Sequence, residues 1–298
     1  MLRSSILIFQ EDFSMNNVLQ SYKQDLAIKG YSPKTQKTYF ACVAKFLKGV
    51  DKPLSDLGKS DVKSHLYNII QTGRCSSSTM NQTYSSLKYL FLQTLGKPWE
   101  MEGIPRVKKP KTLPRVLSAE EALSIIKNAA NEKHRVMLML AYSAGLRVGE
   151  LTRIKPENIV KDKMRLRIDN GKGSKDRYTI LSGLCLTHLR AYWKKYRPAE
   201  WLFEGYTRGK PISERACQHA FDLAKAKAGI KREGGIHSLR HSFATHFLEA
   251  GGGIFQLQKF LGHKHIKTTL VYAHLQEEKT IARSPLDVYA DDRTFANR

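Results

Sequence analysis

The sequence predicts a mainly α-helical protein with a small β-sheet, organised in two domains. Apolar residues recur at helical spacing through most of the 298 residues, whereas apolar and basic residues alternate around Leu166, which is the period of a half-buried strand. A basic segment containing several prolines separates two helical regions. The predicted divisions are an N-terminal extension over 1–15, a helical domain over 16–97, a linker over 98–116, a second domain over 117–284 and a tail over 285–298.

Four helices are predicted in the first domain. They begin near residue 16, at Pro33, near Ser60 and after the serine cluster at 76–78. Proline is favoured in the first turn of a helix, and this supports the second start. Met15 is an alternative first residue of the protein, with 1–14 as an extension. Any small helical domain would show such a pattern, so it does not by itself indicate a function.

The second domain is predicted to be helical with one strand pair. Ser118 and Glu121 match a capping box and open its first helix. Residues 164–168 alternate between apolar and basic side chains, and 171–176 supply turn residues. We therefore expect 177–181 to return as the partner strand of a hairpin.

The charge of the chain indicates a polyanionic partner. Fifty Lys and Arg residues stand against 27 Asp and Glu residues, a formal net charge of +23. The excess is present both before and after Arg115. Neutralising phosphates releases condensed counterions, so such a chain is expected to bind nucleic acid. A membrane surface is a weaker alternative, because no polybasic amphipathic helix stands out.

The cysteines favour a reducing compartment. All four are widely separated and none forms a C-x-x-C pair, so neither a disulfide framework nor a zinc ribbon is expected. The apolar run at 6–9 is too short for a signal peptide or a membrane span. These features predict a cytoplasmic protein without a membrane partner.

Four segments carry residues suited to chemistry on a phosphate. They are Gly145-Leu-Arg147-Val-Gly-Glu150, Gly171-Lys172-Gly173, His237-Ser-Leu-Arg240-His241, and Leu261-Gly-His263 with Tyr272 nine residues later. Each alone could be a solvated surface or, for the tyrosine, a core aromatic. In the third segment Leu239, Phe243 and Phe247 form a core-facing stripe, which leaves its histidines and arginine together near a helix start, where an anion is favoured.

These residue types match the needs of phosphodiester cleavage without a metal. The planar fork of arginine pairs with phosphate oxygens and keeps its charge. Lysine and histidine can give or take protons. Tyrosine can attack phosphorus, although its pKa near ~10 calls for a nearby base or a cationic field.

The complete set resembles the tyrosine recombinase (phage integrase) family, with similarity to its Xer-type and integron-integrase members. The resemblance is carried by G-L-R-x-x-E-L, G-K-G, H-x-L-R-H, L-G-H and a late tyrosine, all in order. It implies a two-domain clamp, with a helical core-binding domain and a mixed α/β catalytic domain. It implies that Tyr272 attacks the scissile phosphate to form a 3′-phosphotyrosyl linkage. Arg147 and Arg240 would hold the non-bridging oxygens, with His263 as a further donor.

The resemblance also implies supporting roles. Lys172 would protonate the leaving 5′ oxygen, His237 would assist proton transfer at the tyrosine, and Glu150 would orient Arg147. Neither metal, ATP nor another cofactor is implied, because the linkage stores the phosphodiester energy. Basic residues outside this set are DNA-binding candidates: Lys108, Lys109, Lys111, Lys175 and Arg177.

The implied partners are double-stranded DNA recombination sites and further copies of the chain. Strand exchange would pass through a four-way junction in a DNA-bound homotetramer, and a second recombinase or accessory proteins are further candidate partners. The tail after Tyr272 resembles the ends of integron integrases and of some mobile-element recombinases.

Three alternatives are weighed against this interpretation. A type IB topoisomerase shares the tyrosine chemistry, and a non-catalytic DNA-binding factor shares the charge. Both fit less well, because the helical N-terminal module is compact and every residue of the motif is present. The i, i+4 spacing of His237 and His241 would suit a metal, but a third ligand is not evident and no metal is predicted.

Overall fold

The computed structural model describes residues 2–72, 75–99, 106–107, 114–169 and 176–273. The chain divides into two compact units, Met1–Lys111 and Thr112–Arg298. The described residues are mainly helical with one three-stranded sheet, which confirms the predicted fold class. Within these ranges no helix is both long enough and apolar enough to cross a membrane.

The described part of the first unit contains four α-helices. They are α1 (Leu2–Ile28), α2 (Pro33–Lys48), α3 (Lys59–Gln71) and α4 (Ser77–Tyr89), the last continued by a π-helical stretch over Leu90–Thr94. N-capping residues account for the starts of α2 and α4, because the hydroxyls of Ser32 and Ser76 accept hydrogen bonds from the backbone N–H groups three residues later. The predicted start of the first helix near residue 16 is wrong. Residues 2–15 include neither proline nor glycine, so no helix-breaking residue stops the helix from extending toward the N-terminus beyond residue 16.

The core of the first unit is formed by apolar side chains of its helices. Phe46 and Leu47 of α2 and Leu87 of α4 are fully buried. Tyr22 of α1 is also buried, and its hydroxyl donates a hydrogen bond of 3.0 Å to the carbonyl oxygen of Ser86. Since a buried phenol needs a hydrogen-bond partner, this contact joins α1 to α4.

The second unit begins at the predicted capping box. Ser118 Oγ accepts from the Glu121 backbone N–H, and Glu121 Oε2 accepts from the Ser118 backbone N–H. The helices of this unit are α5 (Ala119–Lys127), α6 (Glu132–Ser143), α7 (Val148–Leu151), α8 (Gly183–Tyr196), α9 (Glu214–Lys227), α10 (His237–Glu249), α11 (Ile254–Leu261) and α12 (Lys267–Ala273).

The sheet has the order β1-β2-β3, with β1 (Ile159–Val160), β2 (Arg165–Ile168) and β3 (Arg177–Ile180), and both pairings are antiparallel. The predicted hairpin is confirmed: Leu166 and Ile168 of β2 are buried and lie opposite Thr179 and Arg177. The first strand was not predicted, since two residues are too short to show a period.

Two apolar clusters form the core of the second unit. The larger includes α6, α8 and α9, with Phe203 and Phe221 among its fully buried members. The smaller joins α10, α11 and α12 through Phe243, Leu257 and Tyr272. This smaller cluster holds the last three helices at the site described next.

Candidate active site

Glu150 is the centre of a buried group of arginines. The end of α6 brings Arg147 to the start of α7, one turn before this carboxylate. Arg147 donates to it twice, from its backbone N–H to Oε2 and from Nη1 to Oε1, both at 2.8 Å. The Glu150 side chain is 9% exposed, whereas that of Arg147 is 27% exposed. Arg147 therefore keeps an accessible face while its orientation is held from within the protein.

Arg177 of β3 makes the most extensive contact with this carboxylate. Its Nη1 and Nη2 each donate to a separate oxygen of Glu150 at 2.8 Å, and its Nε donates to the carbonyl oxygen of Phe260 at 2.9 Å. Burial alone would raise the pKa of Glu150, but the hydrogen bonds and charge of Arg177, with those of Arg147, lower this pKa to about 2. Glu150 is thus a permanent anion beneath the arginines.

Gly262 makes room for the Arg177 side chain. This glycine ends α11 with φ of 62°, the left-handed conformation that glycine adopts without strain. A Cβ at this position would lie 2.7 Å from Cδ and 2.9 Å from Nε of Arg177. The glycine of the L-G-H motif therefore serves both the turn and the arginine beside it.

Arg240 lies deepest in the cluster, with a side chain that is only 5% exposed. It donates from Nη1 to the carbonyl oxygen of Gly145 at 2.6 Å and from Nη2 to that of Leu261 at 2.7 Å. Glu150 Oε2 is 3.8 Å from its Nη1. Burial, followed by the charge of Arg147, lowers the pKa of Arg240 to about 9, so the group remains a cation at neutral pH.

His263 connects the arginines to the tyrosine. Its Nε2 lies 3.2 Å from Arg240 Nη2, and its Nδ1 lies 3.0 Å from Thr269 Oγ1. Burial, then the charges of Arg240 and Arg147, lower the pKa of His263 to about 4. A neutral ring with an acceptor nitrogen toward Arg240 fits these contacts.

Tyr272 lies on α12, is 5% exposed and belongs to the apolar cluster of α10 and α11. Its ring is nearly parallel to that of His263, with centroids 6.4 Å apart. Its hydroxyl lies 2.9 Å from His241 Nδ1. Burial raises the pKa of Tyr272 more than the charges of Arg240 and Arg147 lower it, so the resting group is a protonated phenol.

The comparisons with known proteins agree on one family. The Phage integrase family model matches residues 115–279, and the model of the Phage integrase N-terminal SAM-like domain matches 18–101. The chain is 34% identical over 279 residues to the Sinorhizobium fredii protein y4qK, across 92% of this chain and 89% of that one. It is 30% identical over 276 residues to the tyrosine recombinase XerA of Pyrococcus horikoshii, across 90% of this chain and 94% of that one.

The chain belongs to the phage integrase family. Its fold also resembles a lambda integrase tetramer bound to a Holliday junction, with a TM-score of 0.73 at 22% identity, across 90% of this chain and 80% of that one. The resemblance inferred from the motifs is confirmed, and so is the tyrosine-type recombinase activity. Neither the topoisomerase nor the accessory-factor alternative is favoured by these relatives.

The structure of this integrase-family chain brings together most of the predicted site. Arg147, Glu150, Arg240, His263 and Tyr272 form one continuous cluster. His237 is the first residue of α10 and keeps part of its side chain exposed to solvent. Burial of the rest of the ring and the charges of Arg240 and Arg147 lower its pKa, and the carboxylates of Glu214 and Glu150 offset part of this effect.

Several predicted residues lie outside the described part of the chain. They are Lys108, Lys109 and Lys111 of the linker and Lys172 and Lys175 of the hairpin turn. In the described ranges no three His, Cys, Asp or Glu side chains are arranged to hold a metal ion.

Two residues have contacts that sequence reasoning did not anticipate. Arg177, predicted as a DNA-binding candidate, directs its guanidinium to Glu150 and Phe260 inside the protein. One signal was available, because the hairpin pairs it with the buried Ile168. His241 contacts the Tyr272 hydroxyl, and no local signal shows this, since it depends on how α10 packs against α12.

Proposed function

We propose that this recombinase cleaves and rejoins one DNA strand at a time through a covalent bond to Tyr272. The observation that carries the proposal is the position of Tyr272, whose ring is stacked on that of His263, which in turn contacts Arg240 at 3.2 Å. The phenol oxygen attacks phosphorus, the P–O5′ bond breaks, and a 3′-phosphotyrosyl linkage remains beside a free 5′-hydroxyl. Attack by a 5′-hydroxyl from a partner strand reverses the step and completes the exchange.

Arg147 and Arg240 hold the non-bridging oxygens of the scissile phosphate. Negative charge grows on these oxygens as phosphorus becomes pentacovalent, and a preorganised donor stabilises it without reorganisation. Arg240 is fixed by two backbone carbonyls, and Arg147 is fixed by Glu150 yet remains partly exposed. The cations come from the chain itself and the linkage conserves the bond energy, so the proposal includes neither a metal nor ATP.

His263 and Glu150 support this clamp. His263 Nε2 faces Arg240 as an acceptor, so its donation to a phosphate oxygen requires the ring proton to move from Nδ1 to Nε2. Glu150 keeps both arginines oriented, and as a buried anion it offsets part of their mutual repulsion.

Lys172 protonates the leaving 5′ oxygen. If so, Lys172→Ala should be slow on ordinary DNA and largely restored on a substrate with a bridging 5′ sulfur, which leaves without a proton. Lys175→Ala is the neighbouring control and should weaken DNA binding without sulfur rescue. If the sulfur substrate instead restored cleavage by Lys175→Ala and not by Lys172→Ala, Lys175 would be the general acid.

The substrates are double-stranded recombination sites, exchanged through a four-way junction in a tetramer of this chain. A second recombinase or accessory proteins join where a site requires them, and the protein acts in the cytoplasm. Lys108, Lys109 and Lys111 contact DNA backbone phosphates, as a basic segment between two DNA-binding domains would.

Trapping the covalent complex tests the proposal. A nicked suicide substrate loses its short 5′-hydroxyl strand after cleavage, so the adduct accumulates. Incubation in EDTA followed by protease digestion should yield an oligonucleotide attached to the peptide that contains Tyr272. An adduct on another peptide, or none without added metal despite normal DNA binding in a gel-shift assay, would contradict it.

A further inference from the structure

His241 has a contact that the proposed roles of the motif residues do not use. It follows Arg240 on α10, and its half-buried ring places Nδ1 2.9 Å from the Tyr272 hydroxyl. Among the described residues, no other side chain makes a hydrogen bond with this hydroxyl. Proton transfer requires hydrogen-bond reach, and His241 meets that requirement.

We propose that His241 receives the proton of the Tyr272 hydroxyl during cleavage, an inference that rests on the proposed role of Tyr272 as nucleophile. As the phenol oxygen bonds to phosphorus, its O–H bond breaks and the proton passes to Nδ1, making an imidazolium. The P–O5′ bond breaks, and the departing oxygen takes a proton from the general acid. In rejoining, the incoming 5′-hydroxyl gives up its proton to that acid, now a base, and the imidazolium returns its proton to the phenol oxygen.

The surroundings of His241 suit a proton acceptor. Burial, followed by the charges of His237 and Arg240 on the same helix, lowers its pKa, so the ring is neutral near neutral pH. The group facing it from α12 is Tyr272, which is itself stacked against His263. The phenol is protonated at rest, and therefore the hydroxyl donates and Nδ1 accepts.

The same helix contains a matched pair outside the site. His246 Nδ1 lies 2.7 Å from the hydroxyl of Tyr142, and both residues are half-buried. This pair has the same chemistry and nearly the same geometry. Among the described residues, the His246–Tyr142 pair makes no hydrogen bond with the arginine cluster around Glu150 or with Tyr272, so His246 serves as the control for His241.

Single-turnover cleavage of the nicked substrate tests the proposal. His241→Ala should cleave at least about 10²-fold more slowly, with unchanged DNA binding, because general-base contributions are typically 10²–10⁴-fold. Added imidazole should accelerate this variant. His241→Asn keeps an acceptor near the Nδ1 position but cannot take up the proton, so it should fold normally and still cleave slowly. His246→Ala should cleave at the wild-type rate with or without imidazole.

Four results separate the possible failures. If Tyr272→Phe forms no adduct while His241→Ala cleaves at the wild-type rate, the nucleophile stands and this inference is wrong. Faster cleavage by His241→Ala would make the contact a restraint on Tyr272 and would equally overturn it. Imidazole rescue of His237→Ala, and not of His241→Ala, would assign the proton transfer to His237. An adduct formed by Tyr272→Phe would instead overturn the proposed function.

Discussion

The arginine side and the tyrosine side of the site differ in what holds them. Arg240 and Arg177 are charged, buried and fixed by Glu150 and backbone carbonyls. Tyr272, His241 and His263 are kept neutral by burial and touch through single hydrogen bonds and ring contacts. A buried charge that loses its partner is costly, whereas a neutral pair that loses one hydrogen bond is not.

Because of this difference, substitutions on the two sides should have different effects on the free energy of unfolding and on the cleavage rate. The oxygen-clamping side is completed when the protein folds, so changes there should alter both the free energy of unfolding and the cleavage rate. The Tyr272 ring belongs to the apolar core, but its hydroxyl and the histidine beside it contribute little to folding, so removing one of these polar groups should alter the rate alone.

Glu150→Ala should destabilise the protein by about 3–5 kcal/mol, because it leaves buried arginines without their carboxylate. Urea unfolding measures the loss. The control is Glu157→Ala, whose contact with Arg167 is 3.9 Å long and largely exposed, and it should cost below about 1 kcal/mol. Equal effects of the two substitutions would show that burial of the Glu150 cluster does not govern stability.

The same carboxylate predicts an acid dependence of stability. The pKa of Glu150 in the folded protein is about 2, below its ordinary 4.5, so its contribution is complete above the unfolded-state pKa and is lost as the pH falls through about 2. The stability difference between wild type and Glu150→Gln should therefore narrow by about 3 kcal/mol between pH 4.5 and 2. A difference that stays constant with pH would contradict this assignment.

Arg177→Lys distinguishes an internal role from a DNA contact. Lysine keeps the charge but loses the fork that spans both oxygens of Glu150, so cleavage should fall by about 10²-fold with unchanged DNA affinity. Gel-shift titration and single-turnover cleavage measure the two effects. If Arg177 instead binds a backbone phosphate, Arg177→Ala would weaken DNA binding and reduce its salt dependence, while Arg177→Lys would cleave normally.

Gly262→Ala should have a smaller effect of about 1–2 kcal/mol from its left-handed backbone, with an added loss of cleavage from contact with Arg177. Gly229→Ala is the matched control, because Gly229 has φ of 71° and an added methyl group there would meet open space within 4 Å. Both variants should lose stability from the strained backbone, Gly262→Ala somewhat more because its methyl group displaces Arg177, and only Gly262→Ala should cleave slowly. Slow cleavage by both variants would show that contact with Arg177 is not the cause of the slow cleavage.

Local signals in the sequence account for much of this fold. The Ser118 capping box and the alternation around Leu166 each depend on a few neighbouring residues, and both were predicted correctly. The arginines of the site were selected because their chemistry suits a phosphate. That they share Glu150 with Arg177 depends on strand pairing and on where α11 ends, which no single segment encodes.

The least predictable feature is the contact between His241 and Tyr272. Helical periodicity places His241 off the core stripe but does not show which later helix it meets. The two residues are 31 positions apart, and their contact requires α11 and α12 to fold back on α10. The resemblance implies a role at the tyrosine for His237, whereas in the structure it is His241, one turn further along α10, that contacts the hydroxyl.

Covalent attachment of DNA through Tyr272 can be tested most sharply with Tyr272→Phe, by measuring its adduct on a denaturing gel together with its urea unfolding midpoint. This variant should bind DNA normally, form no covalent adduct and keep a stability within about 1 kcal/mol of wild type, because one hydroxyl and its hydrogen bond to His241 are removed. Tyr289 is another tyrosine late in the sequence and serves as the control, so Tyr289→Phe should form adduct normally. Adduct at the wild-type level from Tyr272→Phe would place the nucleophile elsewhere, with Tyr289 the first residue to examine.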